Sequence, residues 1–273
     1  MEQVEYPSGH YPIQRHSGEV ERLKSQDAAL SEATNSFLGT IGVAPGWRCL
    51  DLGCGPGGIT KYLLDRVGPV GHVTGLDGDE EFLALARMDS PENSEFISGD
   101  AYATGLPDNQ FDLVHVRFLA STAGNPEGLV SEAVRLTAPG GVVAMQEADF
   151  HTLRCFPEHP AWTELTEIFV ACFPDSKEDP ISHRLFRLMR QAGLEDVCYK
   201  PVLIGTRAQD AWRDYMPSTI ESLEDRIIGD LGVPKDHLER LIADVREHLA
   251  DPDTVWTCYT VVQTWGRAPG VCS

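Results

Sequence analysis

The run LDLGCGPGG at residues 50–58 constrains this chain more than any other feature. It follows WRCLDL, which reads as a strand, and leads into ITKYLLDRV, which reads as a helix. Gly53, Gly55 and Gly58 satisfy the spacing G-x-G-x-x-G. Glycine at these points lets the chain turn tightly and lets a ligand approach the backbone. The segments HVTGLD, SEFISGD, FDLVHVRFL and GVVAMQEAD continue as strands. Between them EEFLALARM and PEGLVSEAVRLT have helical spacing, and APGG reads as a turn. This alternation predicts an α/β fold, a doubly wound parallel sheet with helices on both faces.

The flanks are of a different kind. A polar arm (residues 1–16) precedes an amphipathic helix over 17–38, with Ser17 as its N-cap and Val20, Leu23, Leu30, Phe37 and Leu38 at helical spacing. That helix either packs on its own domain or exchanges with a neighbour to make a homo-oligomer. Beyond residue 150 the sequence predicts helices over AWTELTEIFVACF, SHRLFRLMRQAG, 209–228 and 234–250, with strands at DVCYKPVLIG and TCYTVVQTW. Three regions result: an arm and helix (1–40), a cofactor-binding core (41–150), and a completion of the sheet with inserted helices (151–273). The inserted helices either wall a substrate pocket or cover the sheet edge. Trp162, Phe169, Phe173, Trp212 and Tyr215 serve in them as pocket wall or as core.

A glycine loop of this spacing suits a dinucleotide or another adenosine cofactor, and three carboxylates favour the latter. Asp51 stands on the strand just before the loop, where it can hold the turn and face a cationic amine, and where a pyrophosphate would be repelled. Asp77 ends the next strand, the place of an acid that accepts from both ribose hydroxyls. Asp100 ends the third and can accept from an adenine amino group, which a nicotinamide dinucleotide site does not require.

Taken in order, these motifs resemble those of the class I S-adenosylmethionine-dependent methyltransferases. LDLGCGPGG matches their glycine motif, Asp77 their ribose acid, Asp100 with Ala101 their adenine contact, FDLVHVRFL their fourth strand and LTAPGG their L-x-P-G-G turn. The opening PIQRHSGEVERLKSQ resembles the N-terminal lid of the branch near the ubiquinone- and menaquinone-type enzymes, which includes many natural-product enzymes. The resemblance implies a Rossmann-like seven-stranded sheet with the last strand antiparallel. It implies S-adenosylmethionine as cofactor and S-adenosylhomocysteine as product. Gly53 and Gly55 would back the methionine part, backbone near Arg117 would hold its amine, and Gly78 would lie beside the ribose. Tyr11, His16 and Ser17 would close over the cofactor.

Methyl transfer needs an acceptor aligned with the sulfonium methyl, so positioning can supply much of the acceleration. Where a base is needed, Glu147 and His151 follow the fifth strand and His16 lies in the lid, while His151 also reads as a loop histidine bonded to backbone. His115, inside the fourth strand, reads as a satisfied core residue. No metal-ligand spacing is present, and the seven cysteines are never spaced as C-x-x-C. A net charge of −20 argues against nucleic acid or an anionic membrane as partner and leaves a small organic molecule, methylated at O, N or C. The opening residues carry no apolar signal segment, so the expected compartment is the cytoplasm. The other readings are a methyltransferase fold that uses the cofactor for a cyclisation, an NAD-dependent oxidoreductase, and a sensor of the cofactor.

Overall fold

A computed structural model of the chain describes residues 19–88, 90–173 and 180–270. Helix α1 (Glu19–Ile41) opens it and runs three residues further than its apolar spacing predicts. Its buried face recurs as Glu19, Arg22, Gln26, Leu30, Thr34, Phe37, Leu38 and Ile41. The last turn closes where the N–H groups of Gly42 and Val43 both reach the Leu38 carbonyl, at 3.2 and 3.1 Å.

Five strands and their crossovers follow: β1 (Arg48–Leu52), α2 (Gly58–Val67), β2 (His72–Asp77), α3 (Glu80–Arg87), β3 (Ser94–Ser98), β4 (Phe111–Arg117), α4 (Ala120–Ala123), α5 (Pro126–Leu136) and β5 (Thr137–Asp149). Local chemistry sets the helix starts. Asp79 caps α3 by accepting from the N–H groups of Glu81 and Phe82, and Asn125 caps α5, where Pro126 loses nothing by lacking an N–H. The LTAPGG turn is absorbed into a strand. β5 already begins at Thr137, paired with Phe111, and the turn survives as a register shift in the β4–β5 ladder.

The second half supplies β6 (Arg154–Phe156), α6 (Pro160–Ala171), α7 (Ile181–Gln191), β7 (Glu195–Val202), β8 (Gly205–Arg207), α8 (Tyr215–Ser222), α9 (Glu224–Gly229), α10 (Lys235–Ala250), β9 (Val255–Thr257) and β10 (Thr260–Arg267). The helix expected over 209–228 is three pieces: a short 3-10 turn at Ala211–Asp214, then α8 and α9. The strand expected over TCYTVVQTW is likewise two, because Cys258 and Tyr259 form the joint between β9 and β10.

The main sheet has seven strands in the order β3-β2-β1-β4-β5-β10-β7. β1 to β5 are mutually parallel, and β10, last in the chain, runs antiparallel to both β5 and β7. The expected seven-stranded sheet with an antiparallel last strand is therefore present. One apolar cluster, including Phe37, Leu38, Leu63 and Val73, packs α1 and α2 on one face. Another, including Leu129, Leu136, Leu185 and Met189, packs α5 and α7 on the other. A third joins α6, α8, α9 and α10 over a small antiparallel sheet of β6, β9 and β8. α1 spends its apolar face on its own chain. Among the described residues no helix is long and apolar enough to cross a membrane.

Candidate active site

All five parallel strands end at one edge of the sheet, and the loops leaving that edge enclose a cavity of about 1250 Å³. α1, α6, α8 and α9 close it from the other side. Its walls are of two kinds, which meet at the end of β4.

The first wing is carboxylate-rich. Asp51, Asp77 and Asp100 stand at or just beyond the ends of β1, β2 and β3, and all three line the cavity. Asp77 accepts the N–H of Gly55 at 2.7 Å and that of Asp79 at 2.9 Å. It thereby pins the glycine loop to the neighbouring strand. Burial raises the Asp77 carboxyl above its ordinary value, and the two N–H donors pull it back. Asp100 accepts from Tyr102 N–H. Gly53 and Gly55 both have left-handed φ (+78° and +52°), and a side chain on Gly55 would project into open space. A row of acceptors beside a backbone cradle fits an amine, a ribose diol and an adenine amino group. It does not fit a pyrophosphate, which needs N–H donors or cations.

Asp51 is almost wholly buried and held from two sides. Thr60 Oγ1 donates to it at 2.6 Å, and His115 Nδ1 lies 3.5 Å away. His115, fully buried, meets Gln146 Nε2 at 3.1 Å through its other nitrogen. Gln263 Nε2 then donates both to Gln146 and to the Ala33 carbonyl of α1. A buried chain of polar groups so joins α1 to the carboxylate beside the glycine loop. Arg117 donates to Asp27 of α1 at 3.0 Å, a second tie between that helix and β4.

The other wing is aromatic. Phe118, Phe150, Phe169, Phe173 and Tyr259 line it, with Phe150 stacked on Phe173 at 4.5 Å and edge-on to Tyr259 at 5.3 Å. Phe118, immediately after β4, has φ +56°, a strained conformation for a residue with a side chain. Tyr215, Gln26 and Arg22 close this wing from α8 and α1. Burial pushes the phenols of Tyr215 and Tyr259 up, so both keep their protons at neutral pH. Of the aromatic positions the sequence singled out, Phe169, Phe173 and Tyr215 face the cavity. Trp162 and Trp212 are core, packed on Trp256 and Tyr215.

Of the candidate bases, neither Glu147 nor His151 lines the cavity. Glu147 lies off the cavity and is fully buried, its carboxylate accepting from the backbone N–H groups of Leu119, Ala120 and Ser121 at 3.2, 2.9 and 2.9 Å. It fastens the start of α4 to β5. Burial pushes its pKa up to about 7 against those donors. His151 also lies off the cavity wall, its half-exposed ring turned toward Asp149 at 3.4 Å. Tyr11, His16 and Ser17 fall outside the described residues. Gly78, Ala101 and Arg117 do line the cavity. The residues missed in the sequence are Arg22, Gln26, Asp27, Phe118, Phe150 and Tyr259. The signal for the first two was present: polar residues spaced 19, 22, 26 fall on the same helical face as Leu30 and Phe37.

Fold and cavity together define a class of protein, and comparison with known proteins agrees with it. The methyltransferase domain family matches residues 50–145. The demethylmenaquinone methyltransferase of Staphylococcus aureus is 33% identical over 174 residues, 58% of this chain and 71% of the relative. The YcgJ protein of Bacillus subtilis superposes with a TM-score of 0.59 at 16% identity, over 88% of this chain and 99% of that one. The cyclase SpnF superposes with a TM-score of 0.55 at 20% identity, over 96% and 87%. The chain belongs to the class I S-adenosylmethionine-dependent methyltransferases, in the neighbourhood of the quinone-type enzymes. Its cofactor is S-adenosylmethionine and its product S-adenosylhomocysteine, which sets aside the dinucleotide reading of the glycine loop.

Proposed function

We propose that this methyltransferase acts on a small, ring-bearing organic acceptor, at an oxygen, nitrogen or carbon of that molecule. The observation that carries this reading is one continuous cavity with a carboxylate-lined wing and an aromatic wing that meet at Phe118. Asp77 would hold the ribose hydroxyls with Gly78 beside it, and Asp100 with Ala101 would meet adenine. Gly53, Gly55 and Asp51 would flank the methionine part. When bound, the cofactor supplies an electrophilic methyl group on sulfur. The chain's own contribution is to orient a flat acceptor among Phe118, Phe150 and Tyr259, and to exclude water there. The Staphylococcus aureus relative is named for a quinone acceptor, which is in keeping with an aromatic wall. The net charge of −20 disfavours nucleic acid, and we place the protein in the cytoplasm.

Calorimetric titration with S-adenosylhomocysteine, followed by a screen of phenols and quinols for a mass gain of one methyl group, tests the proposal. Micromolar binding with methylated product supports it; tight cofactor binding with methylation of non-aromatic acceptors alone overturns the ring-bearing class. A second reading, cyclisation, is favoured by the position of Glu147 and His151 off the cavity, since a reaction driven by positioning alone needs no base. Product analysis separates the two: a cyclised isomer has unchanged mass.

A further inference from the structure

At the meeting of α1, α8 and the β9–β10 joint, four polar side chains form a buried network on the cavity wall. Gln26 Nε2 donates to the hydroxyls of both Tyr215 and Tyr259, each at 2.9 Å. The two hydroxyls are 3.0 Å apart. Arg22, held by Glu19 through two contacts of 2.8 Å, reaches the Tyr215 oxygen at 3.4 Å.

Counting donors fixes the direction of the network. The amide nitrogen of Gln26 and the guanidinium of Arg22 only donate. Both offer protons to the Tyr215 oxygen, at 2.9 and 3.4 Å, and the arrangement in which that oxygen accepts both has Tyr215 donating toward Tyr259. The Tyr259 oxygen then receives from Gln26 and from Tyr215. Its own proton is left over. A buried donor without an acceptor is costly, and this one belongs to a residue of the cavity wall. Its ring stands edge-on to Phe118 at 5.6 Å, at the boundary between the aromatic and carboxylate wings.

We infer that the Tyr259 hydroxyl, oriented by Tyr215 and Gln26, is a binding site for a carbonyl or hydroxyl oxygen carried on the ring of the acceptor. The inference rests on the ring-bearing reading above and adds to it the group that is recognised and the residue that recognises it. Arg22, Gln26 and Tyr215 are positioning residues in this arrangement: they saturate the Tyr259 oxygen as an acceptor and thereby turn its proton outward. An acceptor molecule whose ring lacked oxygen would leave that proton unpaired, so the site discriminates by function as well as by shape.

The test uses the full chain loaded with S-adenosylhomocysteine and two probes of one shape, 1-tetralone, which offers a carbonyl, and tetralin, which offers none. Titration of wild type requires no variant, and a preference for 1-tetralone of about tenfold is expected, the scale of one hydrogen bond. Tyr259→Phe keeps the ring and should erase the preference while leaving S-adenosylhomocysteine affinity unchanged. Tyr215→Phe, which removes one of the two donors that orient the Tyr259 hydroxyl, should shrink the preference severalfold without erasing it, and an undiminished preference would take Tyr215 out of the positioning role. Equal binding of both probes by wild type overturns the oxygen site and leaves the ring-bearing reading standing, as does a preference that survives Tyr259→Phe. Binding of neither probe, with S-adenosylhomocysteine still bound, overturns both.

Discussion

His115 Nδ1 faces the Asp51 carboxylate at 3.5 Å in the interior of the sheet, where neither residue meets bulk water. Gln146 has only protons to offer the other ring nitrogen, so that nitrogen is the acceptor and the ring proton points at Asp51. The ring is therefore directed at Asp51. What the sequence offers as a core histidine is a support for the carboxylate nearest the glycine loop.

If Asp51 meets the cofactor's amine, weakening its support should affect only ligands that carry that amine. His115→Phe is expected to weaken S-adenosylhomocysteine by about 1 kcal/mol, below the range for hydrogen bonds to charged groups, because at 3.5 Å the pair is close without being hydrogen-bonded. 5′-Methylthioadenosine, which has the adenosine and no amino acid, should bind wild type and variant alike. Equal losses for both ligands in calorimetry would reduce His115 to packing.

Asp77 predicts the opposite pattern. In the proposed site it would face the ribose common to both ligands, and it pins Gly55 N–H at 2.7 Å. Asp77→Ala should therefore cost about 1.5–3 kcal/mol for S-adenosylhomocysteine and for 5′-methylthioadenosine together. Unchanged affinity for either would remove Asp77 from the ribose site.

Glu147 governs stability and its pH dependence. Burial lifts its pKa from an ordinary 4.5 to about 7. A carboxyl raised on folding binds its proton more tightly in the native state, so its contribution is full below the unfolded value and fades as pH rises through the folded one. The shift corresponds to roughly 3 kcal/mol lost between about pH 4.5 and about pH 7. Urea unfolding across that window should show the decline in wild type and lose it in Glu147→Gln. A variant with the same slope as wild type would assign the decline to other groups.

The core of the fold was legible because its signals are local. The glycine loop and the acids at strand ends follow from backbone geometry that few other residues satisfy, and β1, β2 and β4 carry short apolar stretches between turn signals. The cap was less legible. The helix over 209–228 breaks at Leu223, a residue with no breaker chemistry, where Ile220, Leu223 and Ile227 are all buried in the same cluster. Gln146 and Gln263 were invisible because a glutamine inside a strand carries no periodic signal, and only the tertiary fold shows that their amides meet. Glu147 and His151 were offered as bases by their place after a strand. The side of the strand on which a carboxylate falls depends on register, which α4 settles by presenting three N–H groups to Glu147.

Phe118 offers the sharpest separation of backbone from side chain. Its φ of +56° costs about 1–2 kcal/mol for a residue with a Cβ, and that cost disappears for glycine. Its ring, edge-on to Tyr259 at 5.6 Å, returns about 0.5–1.5 kcal/mol beyond its area. Phe118→Gly relieves the strain but gives up both the ring's buried area and its edge-on contact, so it should still be less stable than wild type. Phe118→Ala loses the ring and keeps the strain, so it should be less stable than the glycine variant by about 1–2 kcal/mol, the reverse of the usual order. Both variants should bind 1-tetralone more weakly, since both lack the wall on which the ring rests. Denaturant midpoints decide the matter. An alanine variant more stable than the glycine one would mean that the backbone at Phe118 relaxes, and that the strain holds nothing in place for the acceptor.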